Sequence, residues 1–416
     1  MNKKHFYAAV ILLSFLVAGI QPAVAIDIPT DPTVGWWDEE TRTYTLNTNI
    51  TISSGENGLE IKEDDLTLDG AGHSVTSTIP NIPNPDTNGI MLSVIDGVTV
   101  KNVTVSGFVI GIRLSASHGN TLMYTTTVNN FHGIWLDSSD YNTLSDNTVS
   151  NNKLVSGAEG IGLHSAEHTI INGNTIQNNY NGIIIAEQSH YNEVYNNEFN
   201  YNEMRQACLQ SGTFNQIYNN NFIGENVDGP DTVYQVHVNG GNDNQIYNNN
   251  FIRGIGTQYQ AYVTGGYDNV FNLELPIGGN YWSDWTTPDD NGDGIVDNPY
   301  VIVDDPEPSD RIQDNYPWTI ENGWLTPPTP QALIVQLIDT VAEMNLQQGI
   351  DNSLDAKLDA AFNALDDVND NNNVAAINSL NAFKNAVEAQ RDNKLNGAQA
   401  DELIDQADSI IDMLIE

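Results

Sequence analysis

The chain of 416 residues contains very little cysteine and few basic residues. Cys208 is the only cysteine, so no disulfide can form within the chain, and its side chain is expected to be a small buried apolar group. Lysine and arginine number 14 against 55 aspartate and glutamate residues, which gives a net charge of −41. Such a charge argues against nucleic acids and anionic membrane surfaces as partners. It suits calcium, a cationic ligand or a salty habitat, and it is equally typical of an acidic surface with no specific partner.

Long apolar runs are also missing, except at the N terminus. Lys3 and Lys4 precede an apolar run over residues 7–20, and Ala23-Val24-Ala25 offers the small residues of a cleavage site. This order predicts a signal peptide over residues 1–25, a mature chain that begins near Ile26, and no membrane span after cleavage. The mature chain would keep 12 basic and 55 acidic residues, a net charge of −43. We therefore expect an extracellular or cell-surface protein, or a periplasmic one in a bacterium with two membranes.

A repeated phrase dominates the chain between Tyr44 and Leu275. Gly-Ile recurs at residues 89, 111 and 133 with a spacing of 22, then at 160 and 182. Each unit holds three short β-branched runs separated by Gly, Asn, Asp or Ser, a composition typical of strands and turns. Such a unit fills one coil of a right-handed parallel β-helix, an all-β solenoid whose coils pair in register. At about 22 residues a coil, about ten coils are expected in this segment.

The alternation along each unit predicts which side chains point into the solenoid. Period-two alternation sends the Ile and Leu of each Gly-Ile-x-Leu phrase inward, so the residues between and after them point outward. Two stacked outward rows follow: Met91, Arg113, Trp135, Gly162 and Ile184, and beside them Ser93, Ser115, Asp137, His164 and Ala186. A second phrase places Asn147, Asn174 and Asn197 at a turn, where amide side chains can form a hydrogen-bonded ladder.

These phrases resemble the β-helix repeats of the NosD type, which are also grouped as carbohydrate-binding and sugar-hydrolase domains. The resemblance covers about residues 50–317. It includes Leu66-Thr67-Leu68-Asp69-Gly70-Ala71-Gly72, which looks like the usual first coil, and Asn280-Tyr281-Trp282-Ser283-Asp284, which commonly closes such helices. The NosD name implies copper, but the histidines are scattered, so copper is not expected. The fold alone does not specify an activity.

The C-terminal quarter has a different period. Pro327, Pro328 and Pro330 predict a linker over residues 322–330, which follows a β-helix domain expected over residues 26–321. From residue 331 to 416 the apolar residues recur with a helical period, which predicts a small all-α bundle of three or four helices. The expected apolar stripes include Ile334, Leu337, Ile338, Val341, Leu354, Leu358, Phe362, Leu365, Val374, Ile377, Leu380, Phe383, Leu403, Ile404, Ala407, Ile411 and Leu414. We expect this module to provide a docking surface for a protein partner.

A loop at residues 289–297 has the spacing of a calcium site. Asp289, Asn291, Asp293 and Asp297 place oxygens at positions 1, 3, 5 and 9, and the Ile295 carbonyl stands at position 7. Position 12 is Tyr300 rather than the glutamate of an EF-hand, and no helices flank the loop. We expect structural calcium within a cap over residues 281–321. The alternative is an acidic surface turn.

The outward rows bring Arg113, Trp135, Asp137 and His164 onto one face. An aromatic ring beside hydrogen-bonding and charged groups suits a sugar. A solvated patch with one exposed tryptophan is the competing interpretation. The sequence therefore favours a secreted, non-catalytic protein that binds a polysaccharide or a cell-surface glycan.

Two alternatives remain open. One is a calcium-assisted polysaccharide lyase or glycoside hydrolase, in which Asp137 would bind a cation or act as an acid and Arg113 or His164 would act as the base. The other is a maturation factor for a periplasmic metalloenzyme.

Overall fold

The computed structural model describes residues 25–53, 55–78, 87–153, 156–224, 233–254, 257–290, 292–303, 311–325, 329–344, 346–366 and 372–415. Residues 1–24 of the predicted signal peptide and Asn291 of the predicted calcium loop lie outside these ranges. Among the described residues, no helix has the length and the apolar character needed to cross a membrane.

Three ten-stranded sheets wrap around one apolar core. Sheet A contains β1 Ile26–Ile28, β5 Leu59–Ile61, β8 Asn88–Ser93, β11 Ile110–Ser115, β14 His132–Asp137, β17 Glu159–His164, β20 Asn181–Ala186, β23 Arg205–Leu209, β26 Val233–Asn239 and β29 Thr257–Gly265. Sheet B contains β2 Gly35–Asp38, β3 Thr43–Leu46, β6 Thr67–Asp69, β9 Thr99–Lys101, β12 Thr121–Met123, β15 Thr143–Ser145, β18 Ile170–Asn172, β21 Glu193–Tyr195, β24 Gln216–Tyr218 and β27 Gln245–Tyr247. Sheet C contains β4 Ile50–Ile52, β7 Ser74–Ser77, β10 Thr104–Ser106, β13 Thr126–Val128, β16 Thr148–Ser150, β19 Thr175–Gln177, β22 Glu198–Asn200, β25 Asn221–Ile223, β28 Asn250–Ile252 and β30 Tyr281–Trp282.

The order of the strands confirms a parallel β-helix and corrects the number of coils. Eight turns, from β5 to β28, each give one strand to every sheet, whereas about ten coils were expected. The opening turn carries the antiparallel pair β2 and β3, and the closing turn replaces its sheet B strand by a single bridge at Val270. The 22-residue spacing overestimates the count because some turns are longer: equivalent asparagines lie 27 residues apart at 147 and 174, and 29 apart at 215 and 244.

The predicted inward rows form the core. Ile90, Ile112, Ile134, Ile161 and Ile183 pair in register on sheet A, and all five are fully buried. Larger rings fill the later coils, where Phe199, Phe222, Phe251 and Trp282 stack in succession with centroids 4.3–5.2 Å apart. Burial of these rows provides the main apolar stabilisation of the solenoid.

An asparagine ladder runs beside this core, as predicted. The side chain of Asn147 donates to that of Asn174, which donates to Asn197, both at 2.9 Å. The ladder continues with Asn220, Asn249 and Asn280, all buried. Each amide also binds backbone groups of a neighbouring coil, so the ladder satisfies polar groups that the turns would otherwise leave unpaired.

Asp314 occupies the position that follows Asn280 in this ladder. Its carboxylate accepts hydrogen bonds from the Asn280 and Tyr316 backbone N–H groups and from Trp282 Nε1, at 2.7, 3.0 and 2.9 Å. Asp314 belongs to β32 Ile312–Asp314, which pairs antiparallel with β31 Tyr300–Val303. Trp282, the last ring of the core stack, also packs on Tyr300 with centroids 4.0 Å apart. The Asn-Tyr-Trp-Ser-Asp phrase thus closes both the ladder and the core.

Four helices form the C-terminal region: α1 Pro330–Glu343, α2 Gln348–Asp366, α3 Asn372–Glu388 and α4 Gly397–Ile415. Thr329 caps α1, because its Oγ1 accepts from the Ala332 N–H at 3.1 Å. Most of the predicted stripe is buried or half-buried. The prediction is wrong for Val374, which is 60% exposed, because α3 buries the face that carries Leu380 and Phe383.

Candidate functional site on the outer face of sheet A

The structure brings the four predicted glycan-binding residues together on three adjacent strands. Arg113 on β11 pairs in register with Trp135 on β14, and Asp137 on β14 pairs with His164 on β17. Parallel strands lie about 4.8 Å apart, so these side chains are near neighbours on one outward face. The Arg113 guanidinium lies 3.6 Å from the Asp137 carboxylate. Arg113 Nε is buried and has no hydrogen-bond partner, which leaves one donor of the guanidinium unused.

The indole ring of Trp135 is partly covered by other side chains. Its ring stacks on the His164 imidazole with centroids 3.9 Å apart and an interplanar angle of 9°. The His132 ring meets Trp135 edge-on with centroids 4.4 Å apart. One face of the indole is therefore occupied by protein, and a ligand can use only the other face and the exposed edge.

Glu159 is the principal residue that the sequence did not identify. Its Oε2 lies 3.1 Å from His164 Nε2, and both side chains are only 11% exposed. Burial raises the pKa of the Glu159 carboxyl above its usual value, while the hydrogen bond with His164 opposes that rise. A buried carboxyl group bonded to an imidazole is a pair that can exchange a proton with a ligand.

Gly162 makes the contact between Glu159 and His164 possible. It stands between them on β17, and a Cβ at this position would lie 2.1 Å from Glu159 Oε2 and 3.1 Å from His164 Nε2. Every other residue type would force Glu159 to move away. The glycine therefore opens a notch in the outward face, which the two polar side chains fill.

His132 completes the cluster as a neutral ring. Burial, with a smaller contribution from the nearby His164, lowers its pKa to about 3. Its Nδ1 is buried and has no hydrogen-bond partner among the described residues. The cluster thus contains one polar ring atom and one guanidinium N–H that the protein itself leaves unsatisfied.

A signal for Glu159 and His132 exists in the sequence. Each stands directly before the glycine of its Gly-Ile phrase, and the two belong to one row with Asn88, Ile110 and Asn181. A Cβ on Gly133 would meet the buried Asn152 and a Cβ on Gly160 the buried Asn179, so the glycines point inward and the residues before them point outward. Simple alternation counted back from Ile134 or Ile161 would assign the opposite direction.

Two open concavities lie elsewhere and contain none of these side chains. One, of about 750 Å³, is lined by residues that include Arg42, Lys62 and Asp64; the other, of about 420 Å³, includes Asp69 and Tyr124. We place the candidate site on sheet A because it combines buried polar groups, unsatisfied donors and aromatic rings.

The predicted calcium loop is folded by its own carboxylates. Asp289 accepts from the Gly292 and Gly294 N–H groups at 2.7 and 3.1 Å. Asp293 accepts from the Ile295 N–H at 2.8 Å, and Asp297 accepts from the Asp290 N–H at 2.9 Å. In this arrangement the described carboxylates hold the turn by accepting backbone hydrogen bonds.

Comparison with known proteins confirms the family resemblance. Residues 43–232 match the family described as "Periplasmic copper-binding protein (NosD)". A comparison with curated proteins gave no match.

The solved structures that are similar to this chain have low sequence identity to it. The periplasmic alginate epimerase AlgG is 13% identical, with a TM-score of 0.40 over 58% of this chain and 72% of that chain. The Dettilon tailspike protein (gp208) is 15% identical, with a TM-score of 0.35 over 58% of each chain. DFA-IIIase from Arthrobacter chlorophenolicus A6, without its lid and in complex with GF2, is 12% identical, with a TM-score of 0.39 over 55% of this chain and 66% of that chain. Neither the identities nor the TM-scores support a transfer of activity.

The copper in the family description can be tested against the side chains. Copper sites need several His, Met or Cys ligands around one point. In the part of the chain that the structure describes, no three His, Cys, Asp or Glu side chains are grouped to hold a metal ion. His132 and His164 are separated by the indole of Trp135, and His164 Nε2 is engaged by Glu159. The described residues do not fit a copper centre.

Proposed function

We propose that this NosD-type β-helix is a secreted, periplasmic or cell-surface protein that binds a polysaccharide on the outer face of sheet A. The observation that supports this proposal most directly is the cluster around Trp135. Arg113, Asp137 and His164 lie near this ring, as the strand pattern predicts, together with His132 and Glu159. A sugar ring has apolar C–H faces and polar hydroxyl groups, and this cluster offers an indole face together with charged and polar groups.

The unsatisfied groups of the cluster support a ligand of this chemistry. A buried donor or acceptor without a partner costs about 1–3 kcal/mol, which is recovered if binding shifts the side chain so that a ligand hydroxyl reaches it. Arg113 Nε and His132 Nδ1 are both in this state, on the two sides of Trp135. The mature chain's high negative charge favours a neutral or locally matched ligand over a generally polyanionic surface.

Affinity electrophoresis of the purified chain through gels that contain neutral or acidic polysaccharides tests the proposal. Wild type should be retarded by at least one polysaccharide, and Trp135→Ala should weaken that retardation about tenfold or more. Trp36→Ala is a matched control, because Trp36 is 53% exposed on β2 of sheet B. Equal retardation of wild type and Trp135→Ala on every polysaccharide would refute the proposal.

A second candidate function is favoured by one observation, the buried Glu159–His164 pair. Such a pair could transfer a proton in a polysaccharide lyase or a glycoside hydrolase. The same incubations distinguish it from binding alone. Release of unsaturated or reducing sugar ends, lost in Glu159→Gln, would establish catalysis, whereas retardation without released ends supports the binding function.

Two further parts of the proposal concern regions outside the sheet. We propose that calcium binds the loop at residues 289–297, where its ligands would replace the present contacts of the carboxylates to backbone N–H groups. Four helices with an acidic surface would serve as an accessory module for a protein partner. Both proposals rest on the sequence pattern.

A further inference from the structure

In the described part of the β-helix, Arg205 differs from six other basic residues in forming no ion pair with a carboxylate. Arg42, Lys62, Lys101, Arg113, Lys153 and Arg253 each form an ion pair with an aspartate or a glutamate. The guanidinium of Arg205 forms none with the described residues. In a chain with 55 acidic residues, a basic group left without an acidic neighbour is unexpected unless a ligand supplies the anion.

The guanidinium of Arg205 is held in place from one side only. Its Nε donates to His237 Nδ1 at 3.1 Å, and His237 Nε2 lies 2.9 Å from Thr264 Oγ1. Burial, with a smaller contribution from the charge of Arg205, lowers the pKa of His237 to about 4, so the imidazole is a neutral acceptor. In the described part of the chain, the two terminal nitrogens of Arg205 have no hydrogen-bond partner, and these atoms form the fork that binds an oxyanion.

Three tyrosines lie on β26 and β29, the two strands of sheet A that follow Arg205. Tyr234 pairs in register with Arg205 and lies 5.0 Å, centroid to centroid, from both His237 and Tyr262. Tyr259 packs 5.2 Å from Tyr262 and is 42% exposed. Aromatic side chains lower the local polarity around a charge, which strengthens its interaction with an opposite charge.

We propose that Arg205, together with Tyr234, Tyr259 and Tyr262, forms a second subsite on sheet A, which binds an anionic group of an acidic glycan. The proposal rests on the proposed function for the class of ligand, but its residues are separate. Arg205 on β23 lies four strands from Arg113 on β11, roughly 19 Å at the usual strand spacing, and two strands from Glu159 on β17, with Asn181 between them in the same row. The buried Ile184, Ala186 and Cys208 lie between the two clusters.

The overall negative charge does not exclude such a subsite. At an ionic strength of about 0.15 M the Debye length is about 8 Å, so a bound anion interacts mainly with groups close to it. The described groups next to Arg205 are the neutral imidazole of His237 and the phenol of Tyr234 on the next strand, and no described carboxylate pairs with the guanidinium. Glu159 stands two strands away in the same row, roughly 10 Å at the usual strand spacing, and burial raises the pKa of its carboxyl. Among these groups the guanidinium is therefore the charge nearest to the proposed subsite.

Titration calorimetry with an oligogalacturonate and with its uncharged methyl ester measures how much the carboxylate charge of the ligand contributes to its affinity. Wild type should bind the charged form more tightly, and Arg205→Gln should lose about tenfold or more on that form while its affinity for the ester stays within about twofold. A sulfated oligosaccharide and its desulfated form make a second pair, which shows whether the anion is a carboxylate or a sulfate. Arg205→Lys keeps the charge without the fork and should show an intermediate loss. Arg42→Gln is the control, because Arg42 already has a carboxylate partner.

Each outcome separates this inference from the proposed function. Equal affinities of Arg205→Gln and wild type for the charged ligands would overturn the subsite, and a loss in Trp135→Ala alone would leave the proposed function standing. If Arg205→Gln loses affinity for the charged and the uncharged ligands alike while its melting temperature is unchanged, Arg205 does not recognise the anionic group. That result would also overturn the subsite. If wild type binds none of these ligands, the subsite is overturned as well. The proposed function is then tested by the affinity electrophoresis with the other polysaccharides.

Discussion

Asp314 gives a prediction that can be worked out in free energy. Its side chain is fully buried, and its pKa is raised to about 7 because burial outweighs four hydrogen-bond donors: the Asn280 and Tyr316 backbone N–H groups, Trp282 Nε1 and the Asn280 side-chain amide. An unfolded aspartate titrates near 3.9, so the difference is about three pH units, or about 4 kcal/mol of coupling between protonation and folding.

The sign follows from the direction of the shift. Between about pH 4 and pH 7 the folded state holds a proton on Asp314 that the unfolded state has released. The contribution of Asp314 to stability is therefore greatest below about pH 4 and is lost as the pH rises through 7. Asp314→Asn cannot ionise, so its free energy of unfolding lacks this term while every other titrating group is unchanged.

The assay is urea unfolding of wild type and Asp314→Asn at several pH values between 4 and 8, followed by the circular dichroism of the sheets. The free energy of unfolding of wild type minus that of the variant should fall by about 1 kcal/mol per pH unit over this range and level off near pH 8. A difference that grows with pH would refute the reasoning. It would mean that the donors around Asp314 outweigh its desolvation and that the carboxylate is held ionised.

Two other predictions concern a metal and a histidine. Millimolar calcium should raise the melting temperature of wild type by several degrees, and Asp297→Asn should abolish the rise; an equal rise in both would contradict calcium binding at this loop. His132, with a pKa of about 3 against about 6.5 in the unfolded chain, should add stability as the pH rises from about 3 to 6.5. Its ring carbon shifts in nuclear magnetic resonance should stay constant between pH 5 and 8, and titration within this range would show that the ring is solvated.

The sequence predicted the positions of side chains correctly where the repeat is strict. The Gly-Ile-x-Leu phrase predicted the inward isoleucines and the neighbours Arg113, Trp135, Asp137 and His164, because strand alternation and register leave little freedom. The ladder asparagines were predicted for the same reason. The predicted number of coils was too high because some coils contain longer turns. A longer turn adds residues to the chain without adding a coil.

The polar partners were harder to predict because they depend on local departures from the repeat. Glu159 reaches His164 only because Gly162 lacks a side chain, and no period contains that information. Arg205, His237 and the tyrosines follow residue 182, where the regularly spaced series of Gly-Ile phrases ends and the repeat no longer marks which residues face outward. Asp314 lies 34 residues beyond the last ladder asparagine, Asn280, in a hairpin outside the repeat.

Hydroxyl-radical footprinting of the chain, alone and with a polysaccharide that it binds, tests the central claim most directly. If the glycan lies on sheet A, protection should appear at Trp135 and at Tyr259. It should be absent at Trp36 and Tyr124, which are exposed outside sheet A. Protection confined to Trp36, Tyr124 or the C-terminal helices, with Trp135 still oxidised at the unliganded rate, would contradict the account.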